Sequence, residues 1–283
     1  MPPGRHYLFV LIAYRAEVHY DSWKGDPAMR ISASLFLSLV FLAALPAGSV
    51  SAASGDRVAT PLPPITIYHL EARRSERIVW LMEELGFPYE LKFVRGNLGA
   101  SLMQIRQVNP GNPVAPTVLY GDDILVESGA IIDVILNRHA PDRLQPDINS
   151  PDYPWHQIWM HYAEGSLASR MGIDYRVWQL QPPEQRSPLR DIQGTVQYAE
   201  DFLAEHPYFG GSEFSAADIM MHFPMNYTFL INVVDRTQFP NINEWMARVE
   251  ARPAYKRMAE VSKPDGMPSP PEPLPDSARP PAR

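Results

Sequence analysis

Residues 108–132, VNPGNPVAPTVLYGDDILVESGAII, decide how the chain is read. Thr117, Val118, Leu119 and Tyr120 carry the β-branched and aromatic content of a strand. Gly121-Asp122-Asp123 is turn chemistry, and Ile124, Leu125 and Val126 return as a second strand. Glu127-Ser128-Gly129 then opens an apolar helical run, with Ser128 placed to cap it. The first N–H groups of a helix have no partner inside it, and its dipole is positive there, so this start attracts carboxylates and phosphates. Pro116 has no N–H to give to a ladder. It suits a strand's first residue, and its peptide bond is of the one kind that adopts cis readily.

Toward the N-terminus, residues 65–70 (ITIYHL) alternate as a strand. Residues 71–74 form a charged turn, and Ser75 stands where a hydroxyl caps a helix over 76–85. Ile78, Leu81, Met82 and Leu85 repeat at one-face spacing in it. Gly86 and Pro88 stop that helix. Residues 89–94 read as a second strand and 100–108 as a second helix. The order is then βαβαββα, a mixed four-stranded sheet with helices on its faces. Prolines across 141–154 mark a linker. Helices follow: 155–167, with Trp155, Ile158, Trp159 and Tyr162 on one face; 171–180, continuing it or following a kink at Gly172; 189–206; 241–251; and 253–261. In FSAADIMM (214–221), Ser215 and Asp218 have the spacing of a capping box, a structural device.

This order resembles the cytosolic glutathione transferase family, in particular its bacterial-like members. The resemblance rests on Ala115-Pro116, on Glu127-Ser128, on WMHYAEGS (159–166) and on the capping-box segment, and it spans about residues 65–261. It implies α/β plus all-α architecture: a thioredoxin-like domain over 65–143 followed by an all-helical domain over 150–262. It implies glutathione as co-substrate, its γ-glutamyl end held by Glu127 and Ser128 beside the Ala115-Pro116 backbone. The implied reaction is addition of the glutathione thiolate to a hydrophobic electrophile over the Trp159 helix, in a homodimer. The same site would serve a glutathione-dependent reductase or peroxidase, or a ligand-binding protein that makes no thiolate.

Tyr68 falls on the strand position that carries a catalytic tyrosine in some classes. Ser75 lies two or three residues beyond the serine of others, where this chain has Ala72 and Arg73. Arg73 and Arg74 set two cations against a helix dipole, an arrangement that favours an anion nearby, so Arg74 is expected to support the thiolate or the glycyl carboxylate. A free thiol has a pKa of about 8.5, and lowering it by two units takes about 2.7 kcal/mol of preferential thiolate stabilisation. Many members carry Gly-Lys ahead of the proline pair. Pro113-Val114 stand there in this chain, so one polar contact is missing.

The 283 residues hold 25 Lys and Arg against 32 Asp and Glu, a net charge of −7, which disfavours a nucleic-acid partner. With no cysteine, disulfides, thiolate metal sites and a cysteine nucleophile are excluded. The chain carries no HExxH, phosphate loop or GxSxG, so no metal site, nucleotide site or hydrolase elbow is expected.

The ends read differently from the middle. Residues 1–28 read as an unstructured extension. Residues 29–52 have the outline of a signal peptide: Arg30, the apolar run ISASLFLSLVFLAAL (31–45), then Val50-Ser51-Ala52. That run is too short for a membrane span. Residues 53–64 are a polar linker, and 263–283 a proline-rich tail expected to be disordered. The resemblance implies a cytoplasmic protein, and a working signal segment would make it periplasmic or secreted instead.

Overall fold

The computed structural model describes residues 59–180, 192–263 and 271–279. The expected extension and signal segment, the first half of the 53–64 linker, residues 189–191 and parts of the proline-rich tail lie outside the described residues. The first half runs β1 (Ile65–Tyr68), α1 (Glu76–Leu85), β2 (Glu90–Lys92), α2 (Leu98–Val108), β3 (Thr117–Tyr120), β4 (Asp123–Val126) and α3 (Ser128–His139). The sheet order is β2-β1-β3-β4, with β1 parallel to β2 and antiparallel to β3. Gly121 supplies the left-handed backbone, φ 61°, that the tight β3–β4 hairpin requires. Tyr68 pairs with Thr117, so the end of β1 lies beside the residue that follows Pro116. Ile67, Ile78, Leu81, Val118, Ile131 and Ile135 are all buried in the core formed where α1 and α3 cover the sheet.

The second half is helical: α4 (Tyr153–Tyr162), a π-helical turn (Ala163–Ala168), α5 (Ser169–Leu180), α6 (Ile192–Glu205), α7 (Ala216–Leu230), α8 (Pro240–Glu250) and α9 (Pro253–Ser262). Of the two alternatives for 171–180, continuation holds: Gly172 sits inside α5, and the irregularity lies earlier, at the π-turn. A π-turn inserts a residue into the helical ladder and re-aims its side chains. This one carries Glu164. The capping box at the start of α7 forms in full, with Asp218 accepting from the Ser215 N–H at 2.9 Å and Ser215 Oγ accepting from the Ala217 N–H at 3.2 Å.

Two polar segments dock rather than hang free. In the tail, Leu274 is 5% exposed, its N–H donates to Ile231 O at 3.0 Å, and its carbonyl accepts from Asn232 Nδ2 at 2.6 Å. The Tyr175 hydroxyl donates to Glu272 O at 2.7 Å. Composition marked the whole tail as unable to bury a core, yet one leucine with both backbone groups paired anchors residues 271–279. At the other end, the Thr60 N–H donates to Arg138 O at 2.7 Å, closing the end of the linker onto α3.

Two buried histidines tie the helices and set an acid limit. His69 lies between Ser75 Oγ and Ser262 O, at 2.8 Å from each, joining the start of α1 to the end of α9. His156 meets Ser215 Oγ at 3.0 Å, joining α4 to α7. Burial pushes both imidazoles down to about 4. Each is therefore neutral in the fold and takes a proton in the unfolded chain first. Their contribution is complete above pH 6.5 and is lost as pH falls toward 4, at about 3 kcal/mol each. Asp218 has the opposite sign: burial pushes its carboxyl up to about 6, so its own contribution rises as pH falls through that value. Two histidines outweigh one aspartate. Urea denaturation is expected to give a lower midpoint at pH 5 than at pH 7, and an equal or higher midpoint would contradict this.

Candidate functional site

A cavity of about 250 Å³ opens where the two halves meet, lined by Arg74, Val114, Ala115, Pro116, Glu127, Ser128 and Glu164. The Ala115–Pro116 bond is cis, and the Thr117 hydroxyl donates to Val114 O at 2.7 Å, fixing the approach to β3. Glu127 occupies the position before α3 with φ 66°, a left-handed conformation that costs a glutamate of order 1 kcal/mol or more. Its carboxylate caps nothing, and the residue is exposed. Ser128 is the first helical residue rather than the cap. Its hydroxyl accepts from Arg77 Nη1 at 2.9 Å instead of closing the helix end.

Arg77 was not singled out in the sequence. It is 1% exposed, and its guanidinium reaches three elements: Ser128 Oγ, Glu164 Oε1 at 2.5 Å and Met220 O at 2.6 Å. The available signal was an arginine one helical turn ahead of Leu81, on the edge of the apolar stripe of α1. Arg74 Nε donates to the same Glu164 oxygen at 2.7 Å, and both guanidinium groups lie 5.6 Å from the centre of the Phe223 ring. Burial presses Arg77 down to about 10, against the charge of Glu164, which raises it. Burial alone would raise Glu164, but the hydrogen bonds and charges of Arg74 and Arg77 outweigh it and hold the carboxyl below its usual range. Arg73 turns back onto Ala72 O at 2.8 Å.

The structure brings five of the seven expected site residues to the cavity: Arg74, Ala115, Pro116, Glu127 and Ser128. The two expected hydroxyls are placed elsewhere. Ser75 is 0% exposed; besides meeting His69, its oxygen accepts from the Leu70 N–H at 3.1 Å. It makes no side-chain cap to α1 either. Tyr68 is 8% exposed and is not among the cavity's lining residues. Trp159, on the helix expected to lie against the acceptor, is fully buried. Its ring lies 4.6 Å from that of Phe209 and 4.9 Å from that of Phe202, a packed core between α4 and α6. The aromatic ring beside Arg74 is that of the buried Phe223 on α7, which stacks on Tyr227 at 5.7 Å.

Comparison with known proteins agrees with this architecture. The glutathione S-transferase N-terminal domain model matches residues 68–143, and the C-terminal domain model of the same family matches residues 181–253. Glutathione S-transferase 3 of Schizosaccharomyces pombe is 28% identical over 214 residues, covering 69% of this chain and 87% of that one. The crystal structure of a glutathione S-transferase from Actinobacillus pleuropneumoniae superposes with a TM-score of 0.61 at 27% identity, covering 72% of this chain and 94% of the other. A theta class glutathione S-transferase from Xanthomonas axonopodis pv. citri, solved with glutathione bound, gives 0.52 at 26% identity, covering 69% and 97%. The domain matches fall on the two halves that the secondary structure separates, and the chain belongs to the glutathione S-transferase family.

Proposed function

We propose that this protein conjugates the glutathione thiolate to a hydrophobic electrophile. The observation that carries the proposal is the convergence of the α3 start, Glu127, Ser128, the Ala115-Pro116 edge and Arg74 on one cavity. The donor set fits a tripeptide with one ammonium, two carboxylates and a thiol. The Glu127 carboxylate suits the ammonium of the γ-glutamyl end. The Ser128 hydroxyl and the free N–H groups of the first turn of α3 suit its carboxylate. The backbone at Ala115-Pro116 suits the cysteinyl main chain, and this places the sulfur toward the β1–α1 turn.

Arg74 is then the charged group that favours the thiolate over the thiol, with the helix start contributing in the same direction. Ser75 holds the turn from behind through His69 and Leu70. Tyr227, half-buried and stacked on the buried Phe223, rather than Trp159, is the aromatic side chain offered to the acceptor. A second reading, a glutathione-binding protein without turnover, is favoured by the inward hydroxyl of Ser75. One assay separates them: the purified protein with glutathione and a chloronitrobenzene electrophile. The conjugation reading expects a rate above the buffer reaction that saturates with glutathione. Saturable glutathione binding with no rate above buffer would replace it with the second reading.

A further inference from the structure

Arg77 does not line the cavity, yet it touches two residues that do. Ser128 Oγ accepts its N–H. A hydroxyl has one proton, so with a lone pair committed to Arg77 the Ser128 proton points away from the guanidinium, and Ser128 is set as a donor. Glu164 Oε1 is held by Arg77 from below and by Arg74 from the side. One carboxylate thus serves two guanidinium groups, and these three residues together carry a net positive charge. The position of Arg74, whose side chain is 40% exposed, follows from the oxygen that the buried Arg77 holds in place. The third anchor, Met220 O, belongs to α7, so the fork is fixed by the fold rather than by any ligand.

We propose that Arg77 is a positioning residue. From inside the protein it sets the Ser128 hydroxyl as a donor and fixes Glu164, and through Glu164 it fixes Arg74, at the spacing glutathione meets. This rests on the glutathione reading above. A planar fork with several fixed donors does this, whereas a lysine ammonium keeps the charge and loses the simultaneous directions.

The test is a double-mutant cycle of Arg77→Lys and Ser128→Ala, read as the KM for glutathione, kcat and the melting midpoint. Arg77→Lys keeps a cation for Glu164. It is expected to raise the glutathione KM about tenfold, with kcat changed by less than about threefold. Ser128→Ala is expected to raise KM similarly, and the double variant to be little worse than either. A merely structural role would lower the midpoint and leave KM unchanged, or would give single effects that multiply in the double variant. Either result overturns the proposal. If Arg77→Lys fails to fold, the cycle of Glu164→Gln and Ser128→Ala replaces it, because these two residues are joined through Arg77. Coupled effects support the proposal and independent effects overturn it. An unsubstituted protein that does not bind glutathione would instead remove the reading beneath it, and direct titration of that protein tells the two failures apart.

Discussion

Asp218→Ala is expected to lower the free energy of unfolding by about 3 kcal/mol or more. The reason is the number of buried donors that one carboxylate satisfies. Asp218 accepts from the Phe209 N–H at 2.8 Å, the Ser215 N–H at 2.9 Å and Trp245 Nε1 at 2.8 Å, so it ties the turn before α7, the α7 cap and α8 together. Each donor left unpaired away from water costs about 1–3 kcal/mol. Asp218→Asn keeps the volume but turns an NH₂ group toward at least one of those donors, so it is expected to cost less, though still more than about 1 kcal/mol. Urea denaturation of the three proteins gives the comparison. A loss below about 1 kcal/mol for Asp218→Ala would contradict the account of the cap.

Glu127→Ala is expected to weaken glutathione binding by about tenfold to a hundredfold, the worth of a hydrogen bond to a charged group. The site gives this carboxylate no other task, since it neither caps α3 nor occurs in an ion pair among the described residues. Its backbone at φ 66° complicates a single substitution, so Glu127→Gly serves as a companion. Glycine adopts that conformation without strain. It is expected to match or exceed the stability of the original protein while binding glutathione as weakly as the alanine variant. Equal retention of all three proteins on immobilised glutathione would remove Glu127 from the site.

Much of this was legible in the residues because local rules and the tertiary result agree. The β-branched strands, the Gly121 hairpin, the Gly86 stop and the Ser215–Asp218 spacing each determine their own surroundings, so βαβαββα and the capping box follow from short stretches. The binding half of the site was legible for the same reason: Pro116, Glu127 and Ser128 lie on one continuous stretch. What escaped depends on partners distant in sequence. Arg77 matters because residues on α3, the π-turn and α7 converge on it. The orientation of Ser75 depends on His69, which is itself held by the end of α9. Trp159 carried an aromatic face that an acceptor pocket and a core share, and only its neighbours on α6 assign it to the core. The docking of Leu274 lay beneath a composition typical of disorder.

The central claim is that the start of α3 binds the γ-glutamyl end of glutathione. Titration calorimetry of glutathione into the folded, unsubstituted protein tests it most directly, with the Glu127→Ala protein as reference. The account predicts a saturable heat of one glutathione per chain that is strongly reduced in the variant. No heat from a protein whose fold is intact, or equal heats from both proteins, would contradict it.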